Sequence, residues 1–222
     1  MNKGNEIIEE LKTVLTGKTL DALVPPIVFI FANGLYGINW ASILAICSAV
    51  LIGIARLVLR QTWKYAFGGL IGVSVAAGFS YIAGNAANYY IPKIIGSVSF
   101  IVAAGTSLII KKPLAAWVSH LSRGWDLNWF WRSDVRPAYT EVTIFWTLFF
   151  ALRLFIQLFL FLRGDVAGLF LVNTILSMPA NVIVLVLSYI YGIWRLRSLG
   201  GPGVEEFEKD VEPPWKGQTR GF

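Results

Sequence analysis

The sequence predicts an all-α fold, a polytopic transmembrane helical bundle of about six spans with interfacial helices. The 222-residue chain is 56% hydrophobic and 14% charged, which is not a soluble composition. Uncharged stretches at residues 22–55, 65–92 and 166–194 each match or exceed the ~20 residues that cross a bilayer. With a single cysteine, Cys47, these observations exclude a secreted disulfide scaffold, a disordered protein, a cytosolic metalloenzyme and a typical nucleic-acid binder.

Residues 1–19 form a cytoplasmic arm before the membrane domain of residues 20–198. In residues 5–16, apolar side chains recur on one helical face and charged ones lie largely on the other. This periodicity predicts an interfacial helix, the alternative being a solvated arm.

The first uncharged stretch is too long for one span. The turn formers Asn33, Gly34, Gly37 and Asn39 divide it into a span at about residues 20–36 and a second at about 40–59. The Pro25-Pro26 pair marks either a helix start or a break.

The third and fourth spans are predicted at about residues 65–83 and 92–110. Between them, residues 84–90 read as a loop whose tyrosines suit the membrane interface. Span three has small residues at every fourth position, which in lipid favour close packing against another helix, in the same chain or in a second copy. They are Gly68, Gly72, Ala76, Ser80 and Gly84.

Residues 111–137 form a long amphipathic loop on the cytoplasmic side. Leu114, Trp117, Val118 and Leu121 recur at helical spacing, which predicts a second interfacial helix. The loop also combines basic residues with tryptophans. Because membrane spans adjoin it, anionic lipid headgroups are the expected partner and nucleic acid is not.

The fifth span is predicted at about residues 139–162, followed by a hairpin at residues 163–165. The stretch 166–194 exceeds one straight span and contains Pro179, which predicts a sixth helix that is either kinked or divided into two segments. Residues 199–222 are polar and acidic, and we expect a mobile tail.

The cations predict an orientation with both termini in the cytoplasm. Of 19 Lys and Arg residues, 16 lie in segments that this orientation places inside, and only Lys93 and Arg163 lie in the opposite segments. The remaining cation, Arg153, lies inside span five.

Arg153 is the centre of a candidate intramembrane polar site. A cation near the bilayer centre costs ~3 kcal/mol or more without partners, so Arg153 should face the bundle interior. Gln157 lies one turn further on, whereas Glu141 is too distant for a direct intrahelical pair. Partners must come from other spans, and amide oxygens can accept from the guanidinium. The candidates are Asn33, Asn173 and Asn181. Arg153 is either a structural clamp or a contact for a substrate, ion or lipid.

No residue is predicted to be catalytic, cofactor-binding or metal-ligating. His120, the single histidine, lies beside Ser119, Ser122 and Asp126, but sequence proximity does not make a triad. The chain has no zinc spacing, phosphate-binding glycine loop or paired intramembrane carboxylate. We therefore expect no cofactor and no enzymatic activity.

The pattern from Lys111-Lys112-Pro113-Leu114 through Trp146 and Leu152-Arg153 to Gln157 resembles a bacterial membrane family defined as domain of unknown function 3159. Nearly all of residues 15–198 fits its layout. The chain is more distantly similar to the intracellular septation protein A family, although residues 168–173 lack the lysine of that family's last helix. The resemblance implies a multi-pass protein of the bacterial cytoplasmic (inner) membrane.

These observations predict a non-enzymatic membrane protein that organises or assists an envelope process or a larger complex, with possible homo-oligomerisation. The alternative is a small transporter or channel for an anionic solute, with Arg153 at a midplane site between helices interrupted near Pro25-Pro26 and Pro179.

Overall fold

A computed structural model describes the backbone of residues 3–58, 63–219 and 221–222. Side chains are described for residues 24–58, 67–177, 179–219 and 221–222. The apolar face predicted for residues 5–16 therefore lies outside the described side chains.

Every regular element in the described part of the chain is helical, as the composition predicts. The α-helices are α1 (Lys3–Val58), α2 (Trp63–Ala83), α3 (Ile91–Ile109), α4 (Leu114–Arg123), α5 (Leu127–Trp131), α6 (Arg136–Leu162), α7 (Val166–Ile175), α8 (Met178–Leu199) and α9 (Val204–Glu208). A 3-10 helix at Ala86–Tyr90 precedes α3.

The break predicted inside the first uncharged stretch lies at Gly37. Its backbone has φ 77° and ψ 177°, a conformation that is open to glycine and strained for other residues. Pro25 and Pro26 lie inside α1 and are buried, so the helix does not begin at this pair.

The sixth apolar stretch consists of two helical segments. Helix α7 ends at Ile175 and α8 begins at Met178, after Ser177 with φ −93° and ψ −114°. Pro179 occupies the first turn of α8, where its missing N–H removes no intrahelical hydrogen bond. Of the two predicted forms, the structure therefore has the divided helix and not the single kinked helix.

Four helical stretches are long and apolar enough to cross a membrane: Val24–Val58, Ala86–Ile109, Arg136–Leu162 and Val166–Leu199. A shorter apolar stretch covers Phe67–Ala83. The break at Gly37 lies within the first of these stretches, and the break before α8 lies within the last. Four candidate spans indicate a membrane protein, while the six crossings and the orientation stay predictions.

The chain divides into two compact units, one with Met1–Ile94 and Gln157–Thr174, the other with Ile95–Ile156 and Ile175–Phe222. The core of the first unit includes Phe29, Ala45, Ala77 and Leu169. Since Phe29 precedes Gly37 and Ala45 follows it, residues on both sides of the break contribute to one core.

Tyr89 and Tyr90 belong to the core of the first unit, although the sequence suggested an interfacial loop. Both residues belong to the 3-10 helix, and both side chains are buried. The Phe29 ring stacks on Tyr89 at 4.3 Å between centroids. Asn85 starts this helix by accepting a hydrogen bond from the Ala87 N–H at 2.9 Å. The asparagine that looked like a loop former is thus a helix cap.

The small residues of α2 occupy two different environments. Ala76 and Ser80 are buried in the first unit, whereas Gly68 and Gly72 are exposed. A Cβ added at either exposed glycine would meet nothing within 4 Å, and Gly84 ends the helix with φ 61°. For the Gly68–Gly72 end of this set of small residues, close packing against another helix stays a prediction.

Candidate functional site

Arg153 is buried in the second unit with 7% of its surface exposed. Its guanidinium carbon lies 5.8 Å from the centroid of the Phe150 ring, within the range of a cation–π contact. Among the described residues, Arg153 Nε has no hydrogen-bond partner. An unpaired Nε is unusual because a buried donor normally finds an acceptor.

Gln157 and Asn173 form a buried polar pair in the first unit. Gln157 Nε2 donates to Asn173 Oδ1 at 2.8 Å, and Asn173 Nδ2 donates to the Leu169 carbonyl at 2.8 Å. Asn173 is a predicted acceptor for Arg153, but its side-chain oxygen accepts from Gln157. Asn33 and Asn181 are both half-buried, Asn33 in the first unit and Asn181 in the second.

Glu141 has its partners on α8. Arg195 Nε and Nη2 donate to the Glu141 carboxylate at 2.8 and 2.9 Å, and the Tyr191 hydroxyl donates to Glu141 Oε2 at 2.6 Å. This two-pronged geometry is the strong form of an arginine–carboxylate pair. Tyr191 and Arg195 are not among the site residues predicted from the sequence. A signal for Arg195 was available, because the predicted orientation places it on the same side of the membrane as Glu141.

An aromatic cluster holds α4, α5 and residues 200–222 together in the second unit. We call these three segments the cap. Trp129 and Phe130 of α5 are fully buried and make edge-on contacts with Tyr139 of α6, at 6.1 and 4.9 Å between centroids. Trp129 Nε1 also donates to the Pro202 carbonyl at 2.9 Å. Trp129 therefore joins α5 to the tail.

The end of the tail packs against α6 and α8. The Phe222 ring stacks on Tyr139 at 4.3 Å with an interplanar angle of 7°. A Cβ added at Gly192 of α8 would overlap the Phe222 ring, so only glycine leaves room for it. Arg197 of α8 holds the chain three residues before Phe222, since its Nη2 donates to the Thr219 carbonyl at 3.1 Å.

Glu206 organises the middle of the tail through backbone hydrogen bonds. Its carboxylate accepts from the N–H groups of Gly203, Lys216 and Gly217 at 2.8 to 3.0 Å. These bonds favour the charged form and lower the pKa of Glu206. The mobility predicted for residues 199–222 concerns motion and stays a prediction, but Glu206 and its three partners have a specific folded arrangement.

Arg132 ties the end of α5 to the tail. Its guanidinium bonds Asp134 at 2.8 and 2.9 Å and lies 5.3 Å from the Trp215 ring centroid. The hydrogen bond to Asp134 raises the pKa of Arg132. Other basic residues of the loop also lie over aromatic rings, Lys112 over Trp131 and Arg123 over Trp125.

His120 and its polar neighbours have local structural contacts. His120 Nδ1 donates to the Trp125 carbonyl at 2.6 Å, and Asp126 caps α5 by accepting from the Asn128 N–H at 2.7 Å. Ser122 donates to the Ser119 carbonyl at 3.2 Å. These bonds shape the connection between α4 and α5.

The profile of a family described as "Protein of unknown function (DUF3159)" matches residues 16–195. The chain belongs to the DUF3159 family. The DUF3159 match runs from α1 to Arg195, so it includes every candidate polar-site residue and the Glu141–Arg195 pair. Residues 196–222, which supply the tail of the cap, lie beyond the DUF3159 match. No curated protein and no solved structure is significantly similar to the chain.

Proposed function

We propose that this chain is a non-enzymatic protein of the bacterial cytoplasmic (inner) membrane, with six crossings and both termini inside, that organises or assists an envelope process or a larger membrane complex. The cap is the observation that carries this proposal. The cap is a folded surface that contacts α6 and α8, and the buried Trp129 and the stacked Tyr139 and Phe222 rings hold it together. An envelope process is part of the proposal because the sequence pattern resembles, at a distance, that of the septation protein A family.

The surface of the cap suits docking. Its tail carries exposed acidic residues at Glu205, Glu208, Asp210 and Glu212. Charged groups at an interface select and orient a partner of opposite charge. A mobile tail would have to be ordered first, at a cost in affinity.

Helix α4 provides a contact with lipid. It buries Ala115, Ala116 and Ser119, while Val118 is exposed and Leu121 has 80% of its surface exposed. The exposed apolar face suits the membrane interface, and the neighbouring cations suit anionic headgroups. We assign the open Gly68–Gly72 end of α2 to a further helix, in a second copy or in a complex partner.

The substitution Gly192→Leu tests the docking role of the cap. The leucine must displace the Phe222 ring, and with it the end of the tail, while the lipid-facing surfaces of the helices stay unchanged. After purification from membranes in mild detergent, we expect proteins that copurify with the wild type to be at least fivefold depleted with the variant, as quantified by mass spectrometry.

Gly96→Leu is the matched control, since Gly96 of α3 is exposed and a Cβ there meets nothing within 4 Å. Limited proteolysis should show the tail of Gly192→Leu cut faster than that of Gly96→Leu. Equal recovery of partners from the wild type and Gly192→Leu, with the tail shown to be released, would refute docking through the cap.

The unpaired Arg153 Nε favours a second candidate, a small transporter or channel for an anionic solute. A buried donor without an acceptor is available to a ligand, and Arg153 is the cation that the sequence places within a span. A chloride-sized or carboxylate-bearing solute could accept from it.

We expect Arg153→Met to unfold at the same temperature as the wild type or higher, because it removes a buried charge whose Nε makes no hydrogen bond. The measurement is a thermal-shift screen of both proteins against common anions. An anion present at a hundredfold excess over its Kd stabilises its target by about 2.7 kcal/mol. Stabilisation of the wild type alone would show an anion site that depends on Arg153 and would support the transporter candidate. A lower melting temperature for Arg153→Met would show instead that Arg153 clamps the bundle.

A further inference from the structure

An open groove lies between α6 and α8 in the second unit. It has a volume of about 640 Å³, within the range of roughly 300–1,000 Å³ typical of small-molecule sites. Its lining includes the aliphatic residues Ile144, Leu148, Leu187 and Ile190 and, at one end, Glu141 and Trp194. Between Glu141 and Leu148 the groove extends about 10 Å along α6, at ~1.5 Å per residue.

The groove is apolar along its length and charged at one end. Ser188, the polar residue in its middle, accepts a hydrogen bond from Trp146 Nε1 at 2.8 Å and donates to the Val184 carbonyl at 2.6 Å. Its hydroxyl is therefore already paired. At one end, the Glu141 carboxylate accepts hydrogen bonds from the Tyr191 hydroxyl and from Arg195.

The charged end retains donors that the protein does not use. Arg195 has five N–H groups, and its hydrogen bonds use Nε and one hydrogen each on Nη1 and Nη2, with Ser198 Oγ accepting from Nη1 at 3.2 Å. Two N–H groups therefore remain on a side chain that is 29% exposed. Glu141, in contrast, accepts from Arg195 through both oxygens and from Tyr191 as well. An incoming group must therefore be an acceptor, and a guanidinium suits the oxygens of a phosphate.

The aromatic residues at this end indicate its depth in the membrane. Trp194, with 61% of its surface exposed, lies beside Tyr191, and their rings are 5.6 Å apart. Exposed tryptophan and tyrosine on transmembrane helices concentrate at the level of the headgroups. The order along the groove, from charged donors through aromatic rings to aliphatic walls, is that of a phospholipid from phosphate to acyl chain.

We propose that the α6–α8 groove binds one glycerophospholipid, with an acyl chain along Ile144, Leu148 and Leu187 and the phosphate on Arg195. The inference needs the chain to lie in a membrane but does not depend on the docking role of the cap. It adds a specific lipid site to the general contact of α4 with headgroups.

Photocrosslinking tests the site with the full chain in nanodiscs that contain phosphatidylglycerol or phosphatidylcholine carrying a diazirine in one acyl chain. We expect crosslinks to concentrate on residues 144–148 and 187–190, several-fold above those on other exposed apolar positions of α6 and α8. Even labelling of all lipid-facing positions would mean ordinary surrounding lipid and would overturn the proposal.

Variants separate the acyl-chain and phosphate contacts. Leu148→Trp and Ile190→Trp fill the groove and should lower its labelling at least threefold, whereas Ile183→Trp, at an exposed position of α8 outside the groove, should not. Arg195→Gln should lower labelling, while Arg195→Lys, which keeps a positive charge and N–H donors, should retain most of it. Equal loss with both would show that the ion pair only shapes the groove, and would refute the phosphate contact. Binding of inorganic phosphate that depends on Arg195, together with no acyl-chain labelling of the groove, would mean a free-phosphate site. That result would also overturn the proposal.

Discussion

Replacing Trp129 with alanine is expected to lower the free energy of unfolding of the cap by about 3–5 kcal/mol, the usual cost of truncating a buried tryptophan. Trp129 is fully buried, contacts Phe130 and Tyr139, and bonds the Pro202 carbonyl. Removal of the Trp129 side chain beyond Cβ leaves a cavity and also leaves the Pro202 carbonyl unpaired. Hydrogen exchange over residues 200–222 is the direct measurement, and we expect protection there to fall by at least a hundredfold.

Two further variants separate the contribution of the Trp129 hydrogen bond from that of the buried ring and provide a control. Trp129→Phe keeps most of the ring and removes the hydrogen bond to Pro202, so it should cost about 1–3 kcal/mol for the unsatisfied carbonyl. Trp194→Ala truncates an exposed tryptophan of α8 and should leave protection of the tail unchanged. If Trp129→Ala left exchange of the tail at the wild-type rate, the tail would not depend on this cluster.

Cysteine labelling in intact cells is expected to give an all-or-none pattern. With Cys47 replaced by serine, cysteines at Asn39 and Arg163 should react with an impermeant thiol reagent, because the proposed orientation places them outside. Cysteines at Ser122 and Glu208 should react only after the membrane is permeabilised. All four positions are exposed, so access depends on the side of the membrane.

The same experiment tests the number of crossings. If Val24–Val58 crossed only once, position 39 would lie within the bilayer and would stay unlabelled even after permeabilisation. Labelling of positions 122 and 208 in intact cells, with none at 39 and 163, would reverse the orientation.

Local chemistry predicted the breaks between helices well. A glycine can adopt the positive φ at Gly37, and a proline suits the first turn of α8, so both interruptions were visible in the sequence. The ends of α6 were also predicted closely, because charged residues and Gly164 limit the apolar stretch. These features depend on residues close in sequence.

Contacts between distant residues could not be read in the same way. Tyr89 and Tyr90 fit a membrane interface by residue type, but the packing of Phe29 buries Tyr89 within a core. The polarity of the tail predicted mobility, which stays a prediction, but it did not show that Glu206 accepts from three backbone N–H groups of the tail. For Arg153, the sequence offered several acceptors without showing that the side-chain oxygen of Asn173 accepts from Gln157.

The hydrogen bond between Trp129 and Pro202 joins residues 73 positions apart. Helices α6, α7 and α8 lie between these two residues in the sequence. During synthesis, these membrane helices therefore leave the ribosome before the cap can close. Until residues 202–222 follow, the chain presents an aromatic surface of Trp129, Phe130 and Tyr139 without its cover. Transiently exposed apolar surface is what chaperones and proteases recognise. Closure of the cap therefore requires synthesis at least as far as residue 202, and we expect a chain interrupted before that residue to be degraded faster.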